Sequence, residues 1–566
     1  MRNLIREMPY AGLVAICFSL IGYYFFTGLY CSDDTRYLIG AIKIALGEPI
    51  SVTSLAERRV MFLLPGAMMY APGVDLELLV VPYTLFFVGL GAVGYFLARR
   101  VLSRMAAVAA MVLAGTQPVF FLYAGAMLPD LASTLFLMLG LLFLCCWLEA
   151  VAAKPGDSRR SAWFAFGLGA SIATAFTLKE SGLVLLPVPL AVMALMGLRR
   201  NLAASLRDGI ALAIGFAAVL AIESLVFRIA AGQWHSSVAS LLVPHDVAGF
   251  IETQGRSPIA RLRTLRYLLG PHTSALFALA AVASLRLAFI WYQRRLPGHM
   301  GLAWLAVVGF WAWPLFYFTF GTASLSSYLL PVMQQRYYAP SIVPAAILVV
   351  NLMVSVVHLA RAGAAARLSM AVSATVAIWL ASAPYLDRGE RGLIYAAAAK
   401  EAFTQAREDA RQRYPGIPLY DVASGWTTDL NRCRALLMPV YPDGENRLMQ
   451  AIRSGDDVRG RFGYRQLDDM SPPFLVAGHG AFMEARKPSR WVASLRVQVE
   501  EGRMQATRVG RYGQVPRRAL RGLSWLPRTV AAARASGISP ARERADAPTP
   551  AEPNEVEMYL ISPGRL

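Results

Sequence analysis

Four short stretches of the chain hold side chains able to do chemistry. The first is Asp33-Asp34-Thr35-Arg36-Tyr37. Two adjacent carboxylates with an arginine close behind could supply a general base for a hydroxyl and the group that orients it. The same spacing also suits a helix start, with one aspartate as cap and Asp33 pairing with Arg36. The second is Leu128-Pro129-Asp130, where a short turn enters an apolar run. Asp130 either complements a helix N-terminus or is a membrane-edge carboxylate that must be paired or used. The third is Lys179-Glu180-Ser181-Gly182. Lysine occurs only at positions 43, 154, 179, 400 and 487, so one at a membrane boundary stands out. A phosphate contact would explain it, as would snorkelling or a Lys179–Glu180 surface pair. The fourth is Gln334-Gln335-Arg336-Tyr337-Tyr338. Arg336 could grip a phosphate in a fork that lysine cannot match, or anchor at headgroup level with the tyrosines. Arg261, Arg263 and Arg266, with His235 and His245, either line an anionic lipid headgroup or form a solvated basic surface. No CxxC or HExxH spacing occurs. The remaining carboxylates leave a divalent metal undecided, and nothing points to a cofactor.

These residues must be positioned by a membrane protein. The 566 residues are 56% hydrophobic and only 16% charged, with mean hydropathy +0.45, whereas soluble chains carry about 25% charged residues. Apolar runs of spanning length fall at roughly 12–30, 76–98, 105–123, 131–148, 162–178, 182–198, 209–227, 269–292, 301–320, 338–358 and 369–386. The pattern predicts about eleven transmembrane helices. The net charge of +19 does not signal nucleic acid, because much of the arginine sits in short clusters between the apolar runs. The first run is long enough to span. The junction Leu29-Tyr30-Cys31 puts a bulky residue where a signal-peptide cleavage site needs a small one. Cys17, Cys145 and Cys146 lie in apolar runs, and Cys31 and Cys433 offer at most one disulfide.

Basic clusters at Arg2/Arg6, Arg99/Arg100/Arg104, Lys154/Arg159/Arg160, Arg199/Arg200/Arg207, Arg294/Arg295 and Arg361/Arg367 occupy every second connection. Positive-inside topology puts that side, and the N-terminus, in the cytoplasm. Arg58 and Arg59 fall on the other side. The external side receives loops at 31–75, 124–130, 179–181, 228–268 and 321–337, and with them all four chemical stretches. A helix is expected over 34–46, capped by Ser32 or Asp33 and ended by Gly47, with Leu38, Ile42 and Ala45 on one face. After residue 386 the chain turns polar, with short apolar bursts at Ile417–Val422, Pro473–Ala477, Trp491–Val499 and Met558–Ile561. Helical stretches at 394–413 and 445–454 lie between some of them, which suggests a small extracytoplasmic α/β domain. The organisation read from sequence is a transmembrane domain over 1–386, the α/β domain over 387–534, and a proline-bearing connector and tail over 535–566.

Asp33-Asp34-Thr35-Arg36-Tyr37 followed by a helix resembles the Asp-Glu-x-Arg-Tyr loop of bacterial aminoarabinose transferases and protein O-mannosyltransferase-like enzymes. These are GT-C fold glycosyltransferases. Ala126-Met127-Leu128-Pro129-Asp130 resembles their second-loop aspartate. Ala173 to Pro189, with Lys179 and Gly182, resembles their Thr-Lys-Gly segment, and Arg336-Tyr337-Tyr338-Ala339-Pro340 their basic-aromatic-proline entry to a late span. The resemblance covers about residues 1–385. It implies inverting transfer of a sugar from a polyprenyl-phosphate donor to a hydroxyl of a lipid, glycan or protein acceptor, at the outer face of a bacterial inner membrane. In that scheme Asp33 is the general base and Asp34 supports it or places the acceptor. Arg36, Tyr37, Asp130 and Tyr337 contact substrate, and Lys179 and Arg336 hold the donor phosphate. The sequence departs from the pattern at Asp34, at Glu57-Arg58-Arg59, which replaces an acidic-basic-proline motif, and at Glu180-Ser181 before Gly182. These departures argue against an aminoarabinose transferase as such.

Three other readings fit a polytopic chain, one of them a purely structural or assembly protein, in which Asp33, Asp34 and Asp130 would be dispensable. A lipid-linked-sugar flippase should bury polar residues near mid-membrane, and a surface-polysaccharide polymerase or ligase should centre its chemistry on a large mid-chain external loop. The arginine asymmetry makes a direct prediction. A periplasm-active reporter fused after Gly232 is expected to be active and one fused after Arg200 inactive; the reverse pattern would invert every assignment of side.

Overall fold

The computed structural model of the chain describes residues 2–24, 33–51, 54, 56–71, 76–121, 123–153, 158–197, 202–240, 258–293, 298–321, 331, 333–359, 364–382, 405, 406, 408–417, 419–422, 472–479, 490–512 and 556–564. They form two compact units. One comprises Met1–Phe26, Pro49–Met69 and Leu79–Gly389, and the other Thr27–Glu48, Tyr70–Leu78 and Glu390–Leu566.

The first unit is helical because its apolar runs must satisfy their own backbone in a bilayer. In chain order come α1 (Arg2–Tyr24), then α2 (Asp33–Leu46, of the second unit), α3 (Val60–Met69), α4 (Val81–Ala98), α5 (Arg104–Gly115), α6 (Pro118–Phe121) and α7 (Pro129–Ala153). They are followed by α8 (Ser158–Leu178), α9 (Pro187–Gly197), α10 (Leu202–Ala231), α11 (Ser237–Ser240), α12 (Pro258–Tyr292), α13 (Gly298–Phe320), α14 (Ala339–Leu359) and α15 (Ala364–Ala381). Among the described residues nine helices are long and apolar enough to cross a membrane, which makes this a multi-pass membrane protein. The third and eleventh predicted spans appear as the shorter apolar helices α5 and α15. At 12 residues α5 reaches about 18 Å, well short of the hydrocarbon thickness. Gly270, at φ 67° ahead of Pro271, breaks α12 into an entry helix and a long span.

Two ends of the unit carry different polar chemistry. At the end where the predicted cytoplasmic clusters lie, Glu7 of α1 accepts from Tyr95 (2.6 Å), Arg99 Nε (3.0 Å) and Arg104 Nε (3.0 Å), clamping α1 to α4 and α5. The buried Asp208 of α10 accepts from Trp147 Nε1 (3.0 Å), Ser161 Oγ (3.1 Å) and Arg207 (2.9 Å), binding α7, α8 and α10. Arg100 pairs with Glu149 near the C-terminal end of α7. Asp130 lies in the first turn of α7, so it is on the order of 28 Å along the helix from Glu149.

Helices α8 and α10 pack backbone to backbone. A Cβ added at Gly169 of α8 would stand 2.0 Å from the Leu212 carbonyl oxygen, and one at Gly215 of α10 would stand 2.2 Å from that of Phe166. Small residues of this kind let transmembrane helices approach closely. This contact fixes the helix whose last residue, Leu178, precedes Lys179.

In the second unit, α2 begins at Asp33, one residue ahead of the expected start, and ends before Gly47, whose φ of 69° stops the helix. Tyr37, Leu38, Ala41 and Ile42 make its buried face, while Ala45 is exposed rather than part of it. The C-terminal part is a four-stranded sheet of β1 (Leu419–Val422), β2 (Phe474–His479), β3 (Met504–Tyr512) and β4 (Val556–Pro563), in the order β1-β2-β4-β3. Strands β1 and β2 are parallel, with Leu419 opposite Leu475, and the other pairs are antiparallel, with a bulge between Arg508 and Gly510. The apolar burst Trp491–Val499 lies on a helix, α16 (Arg490–Glu500), rather than a strand. The expected helix 445–454, the connector 535–554, Cys31, Cys433 and His245 lie outside the described residues.

The glycine contact yields a paired prediction. Gly215→Val is expected to destabilise the protein by roughly 3 kcal/mol or prevent its accumulation. Gly209→Ala, where a Cβ meets nothing within 4 Å, should leave thermal stability in detergent unchanged. Equal tolerance of both changes would contradict the packing.

Candidate functional site

At the end of the helical unit opposite the Glu7 clamp, three of the chemical stretches meet. Asp130 is buried in the first turn of α7, where a negative charge suits the positive end of the helix dipole. Its main-chain carbonyl accepts from Thr134 Oγ1 at 2.7 Å, as the helix continues. Lys179 follows the last residue of α8, where a positive charge suits the negative end. Its backbone N–H returns to the Ala175 carbonyl (3.0 Å), and its own carbonyl accepts from Gly182 N–H (2.8 Å). That turn opens a short 3₁₀ helix, Glu180–Leu185. Gly182 is required there, since a Cβ would lie 2.6 Å from the Ala175 carbonyl carbon and oxygen. Ser133 Oγ donates to the same Ala175 carbonyl at 3.1 Å, tying α7 to the end of α8.

The Lys179 ammonium donates to Asp130 Oδ1 in a buried ion pair. It also sits 3.9 Å from the centroid of the Tyr337 ring, a cation–π distance. Arg336 and Tyr337 lie on a second 3₁₀ helix, Gln335–Tyr338, which leads directly into α14. Arg336 Nε donates to Gln334 Oε1 (2.8 Å) and stands 3.9 Å from Asp130 Oδ2. Its guanidinium carbon is 6.0 Å from the Tyr337 centroid. Asp130 therefore faces two cations, one in contact and one at the outer limit of an ion pair.

The neighbouring residue Glu180 turns the other way. Its carboxylate accepts from Arg58 Nη2 (3.0 Å) and Arg59 Nη2 (2.5 Å), all three side chains being largely withdrawn from solvent. The Lys179–Glu180 pair considered from sequence does not form, and each residue anchors its own network. Among these residues four cationic side chains face two carboxylates, an excess of positive charge in a poorly hydrated place. Lys179 lies between the spans that end at Leu178 and begin at Glu180. Burial lowers its pKa, the Asp130 charge opposes that, and Arg336 and Arg59 add to the lowering, with a result of about 8.

A pocket opens beside this cluster, with about 320 Å³ of empty space that includes its open mouth. Asp130, Ser133, Lys179, Ser181, Arg336 and Tyr337 supply its polar wall, and Leu137, Val184, Leu185, Pro314, Phe318 and Pro340 its apolar one. The combination suits an anionic head with an apolar chain. Among the described residues no group of three or more His, Cys, Asp or Glu side chains could hold a metal ion.

Asp130, Lys179, Arg336 and Tyr337 thus share one site. Asp33, Asp34, Arg36 and Tyr37 share α2 in the second unit, with Asp34 and Tyr37 buried and Arg36 exposed. Arg58 and Arg59 were not picked out for the site by sequence, and Glu180 was considered only as a partner for Lys179. The signal was present, because both arginines break the positive-inside rule. The three arginines near 261–266 do not act together: Arg263 and Arg266 are exposed, while Arg261 is buried and donates to main-chain carbonyls. His235 stacks edge-on against Phe227, with ring centroids 4.8 Å apart. Burial and the Arg58 charge lower its pKa.

No protein-family profile matches the chain, and no curated protein matches it in sequence. By structure it is similar to ArnT from Cupriavidus metallidurans in the apo state, at 15% identity and TM-score 0.49, over 85% of this chain and 94% of that one. It is similar to the apo oligosaccharyltransferase of Archaeoglobus fulgidus, at 13% identity and TM-score 0.47, over 98% and 88%. ArnT bound to undecaprenyl phosphate is similar at 15% identity and TM-score 0.44, over 83% and 93%.

The lowered Lys179 pKa has a signed consequence. The ammonium is present below about pH 8 and is lost as pH rises through that value. Affinity for inorganic pyrophosphate, used as an anionic probe, is expected to fall between pH 7 and 9. Lys179→Arg, whose guanidinium keeps its charge, should flatten that fall; an unchanged profile would remove Lys179 from anion binding.

Proposed function

We propose that the chain is an integral membrane glycosyltransferase that moves a sugar from a polyprenyl-phosphate donor to an acceptor hydroxyl. The acceptor is a lipid, glycan or protein at the outer face of a bacterial inner membrane. The observation that carries this reading is the convergence of Lys179 and Arg336 on the buried Asp130 beside a pocket with an apolar wall. A phosphate on an isoprenoid chain presents the charge and the grease that such a pocket selects.

In this scheme Lys179 and Arg336 bind the donor phosphate and take up the charge that grows on it as the sugar leaves. Asp130 does not catalyse. It holds both cations at the pocket wall, and Tyr337 fixes the ammonium from its ring face. The reaction needs a base to take the acceptor's proton as its oxygen attacks the anomeric carbon. The bond from that carbon to the phosphate oxygen breaks with its electrons going to the phosphate, which inverts the anomeric centre and releases polyprenyl phosphate. The base is assigned to Asp33, with Asp34 supporting it and Arg36 and Tyr37 contacting substrate. That assignment is supported by the Asp33-Asp34-Thr35-Arg36-Tyr37 pattern and by the helix that starts at Asp33.

The test is transfer from a radiolabelled short-chain polyprenyl-phosphate sugar by purified protein. Asp33→Asn is expected to lower kcat at least a thousandfold with donor affinity kept. Lys179→Ala and Arg336→Ala should raise the donor Kd at least tenfold. Wild-type turnover in Asp33→Asn would remove it as the base, and wild-type donor affinity in both cation variants would overturn the reading.

A further inference from the structure

Arg261 is not among the residues that line the pocket, yet its place in the fold bears on the site. It is 1% exposed, on the entry helix of α12. Burying a guanidinium is costly unless its donors are met. Here Nε donates to the Thr319 carbonyl and Nη2 to those of Phe318 and Pro331, each at 2.7 Å. Phe318 and Thr319 belong to the last turn of α13, whose final carbonyls lack helical partners and carry the negative end of its dipole. Pro331 lies on the far side of residues 322–330 in the chain, five residues before Arg336. One side chain thus grips the chain on both sides of that segment.

The grip leads to the site in two short steps. The Phe318 ring packs on Tyr337, centroids 5.3 Å apart, and edge-on against Tyr338 at 5.9 Å. Tyr337 carries Lys179 on its face, and Arg336 precedes it. We propose that Arg261 is a positioning residue. It fixes the end of α13 and the chain at Pro331 together, so that Arg336 and Tyr337 are delivered to Asp130 and Lys179 at the pocket wall. This inference rests on the proposed phosphate seat for its functional consequence, though not for its structural one. Three main-chain acceptors met by two nitrogens of one planar group explain why arginine is needed, since a lysine ammonium offers no such rigid fork.

The experiment uses the full chain in nanodiscs, with farnesyl phosphate as the probe, and four proteins: wild type, Arg261→Met, Arg336→Met and the double variant. Arg261→Met should weaken farnesyl phosphate binding at least tenfold. In the Arg336→Met background the same change should cost several-fold less than in the wild type, because only Tyr337 is left to position. Amide hydrogen exchange over 333–338 should speed up in Arg261→Met, while exchange over 95–104, beside the Glu7 clamp, stays at the wild-type rate. Arg261→Lys, which keeps the charge and loses the fork, should show the same pattern in milder form and serves if the methionine variant does not fold. Where Arg336→Met weakens binding, full affinity in Arg261→Met or an undiminished cost in the double variant would overturn the proposal, and unchanged exchange over 333–338 would overturn it in every case. Should Arg336→Met alone bind like wild type, the phosphate seat fails. Faster exchange over 333–338 would then still uphold the positioning role.

Discussion

The buried pair of Lys179 and Asp130 is the constraint on which the site depends. Withdrawing either charge from water alone costs several kcal/mol, so the fold must deliver the two together and keep them there. It does so with helix ends. Asp130 enters α7 where the dipole welcomes a carboxylate, and Lys179 leaves α8 where it welcomes an ammonium. Arg336 is the odd member, a cation ahead of the N-terminus of α14, where the dipole opposes it. Its nearness to Asp130 offsets part of that cost, and an anion in the pocket would offset more. The cluster is left with an excess of positive charge.

The rest of the first unit serves this arrangement by rigid packing. Close contact through Gly169 and Gly215 holds α8 against α10. Ser133 fastens α7 to the carbonyl of Ala175, one turn before Lys179. Trp313 Nε1 donates to the Val184 carbonyl at 2.7 Å, which joins α13 to the turn that follows Lys179. The polar clamps around Glu7 and Asp208 secure the other end of the bundle.

Much of the helical architecture was legible because a bilayer imposes a strong, simple signal: some twenty apolar residues with no charge. The common side of Asp130, Lys179 and Arg336 was legible from arginine asymmetry, although they stand 49 and 157 residues apart in the chain. What sidedness cannot give is pairing. Nothing local told whether Lys179 would reach for Glu180 next to it or for Asp130 far off, and burial decided for the partner at the pocket. Arg261 was grouped with Arg263 and Arg266 by proximity in sequence. At about 100° per residue the latter two lie roughly 140–200° around the helix, which accounts for one buried and two exposed side chains. The strand Met504–Tyr512 went unseen because exposed arginines and polar residues dilute its alternation, and Trp491–Val499 shows that an apolar burst alone does not separate strand from helix.

In the proposed function the Lys179–Asp130–Arg336 cluster seats the phosphate of a lipid carrier. A cryo-EM structure of the protein in nanodiscs with a short polyprenyl-phosphate sugar tests it most directly. Phosphate density is expected within about 3.5 Å of both the Lys179 ammonium and the Arg336 guanidinium, with the isoprenoid along the Leu137–Val184–Phe318 wall. Phosphate bound elsewhere, with this pocket empty, would contradict it.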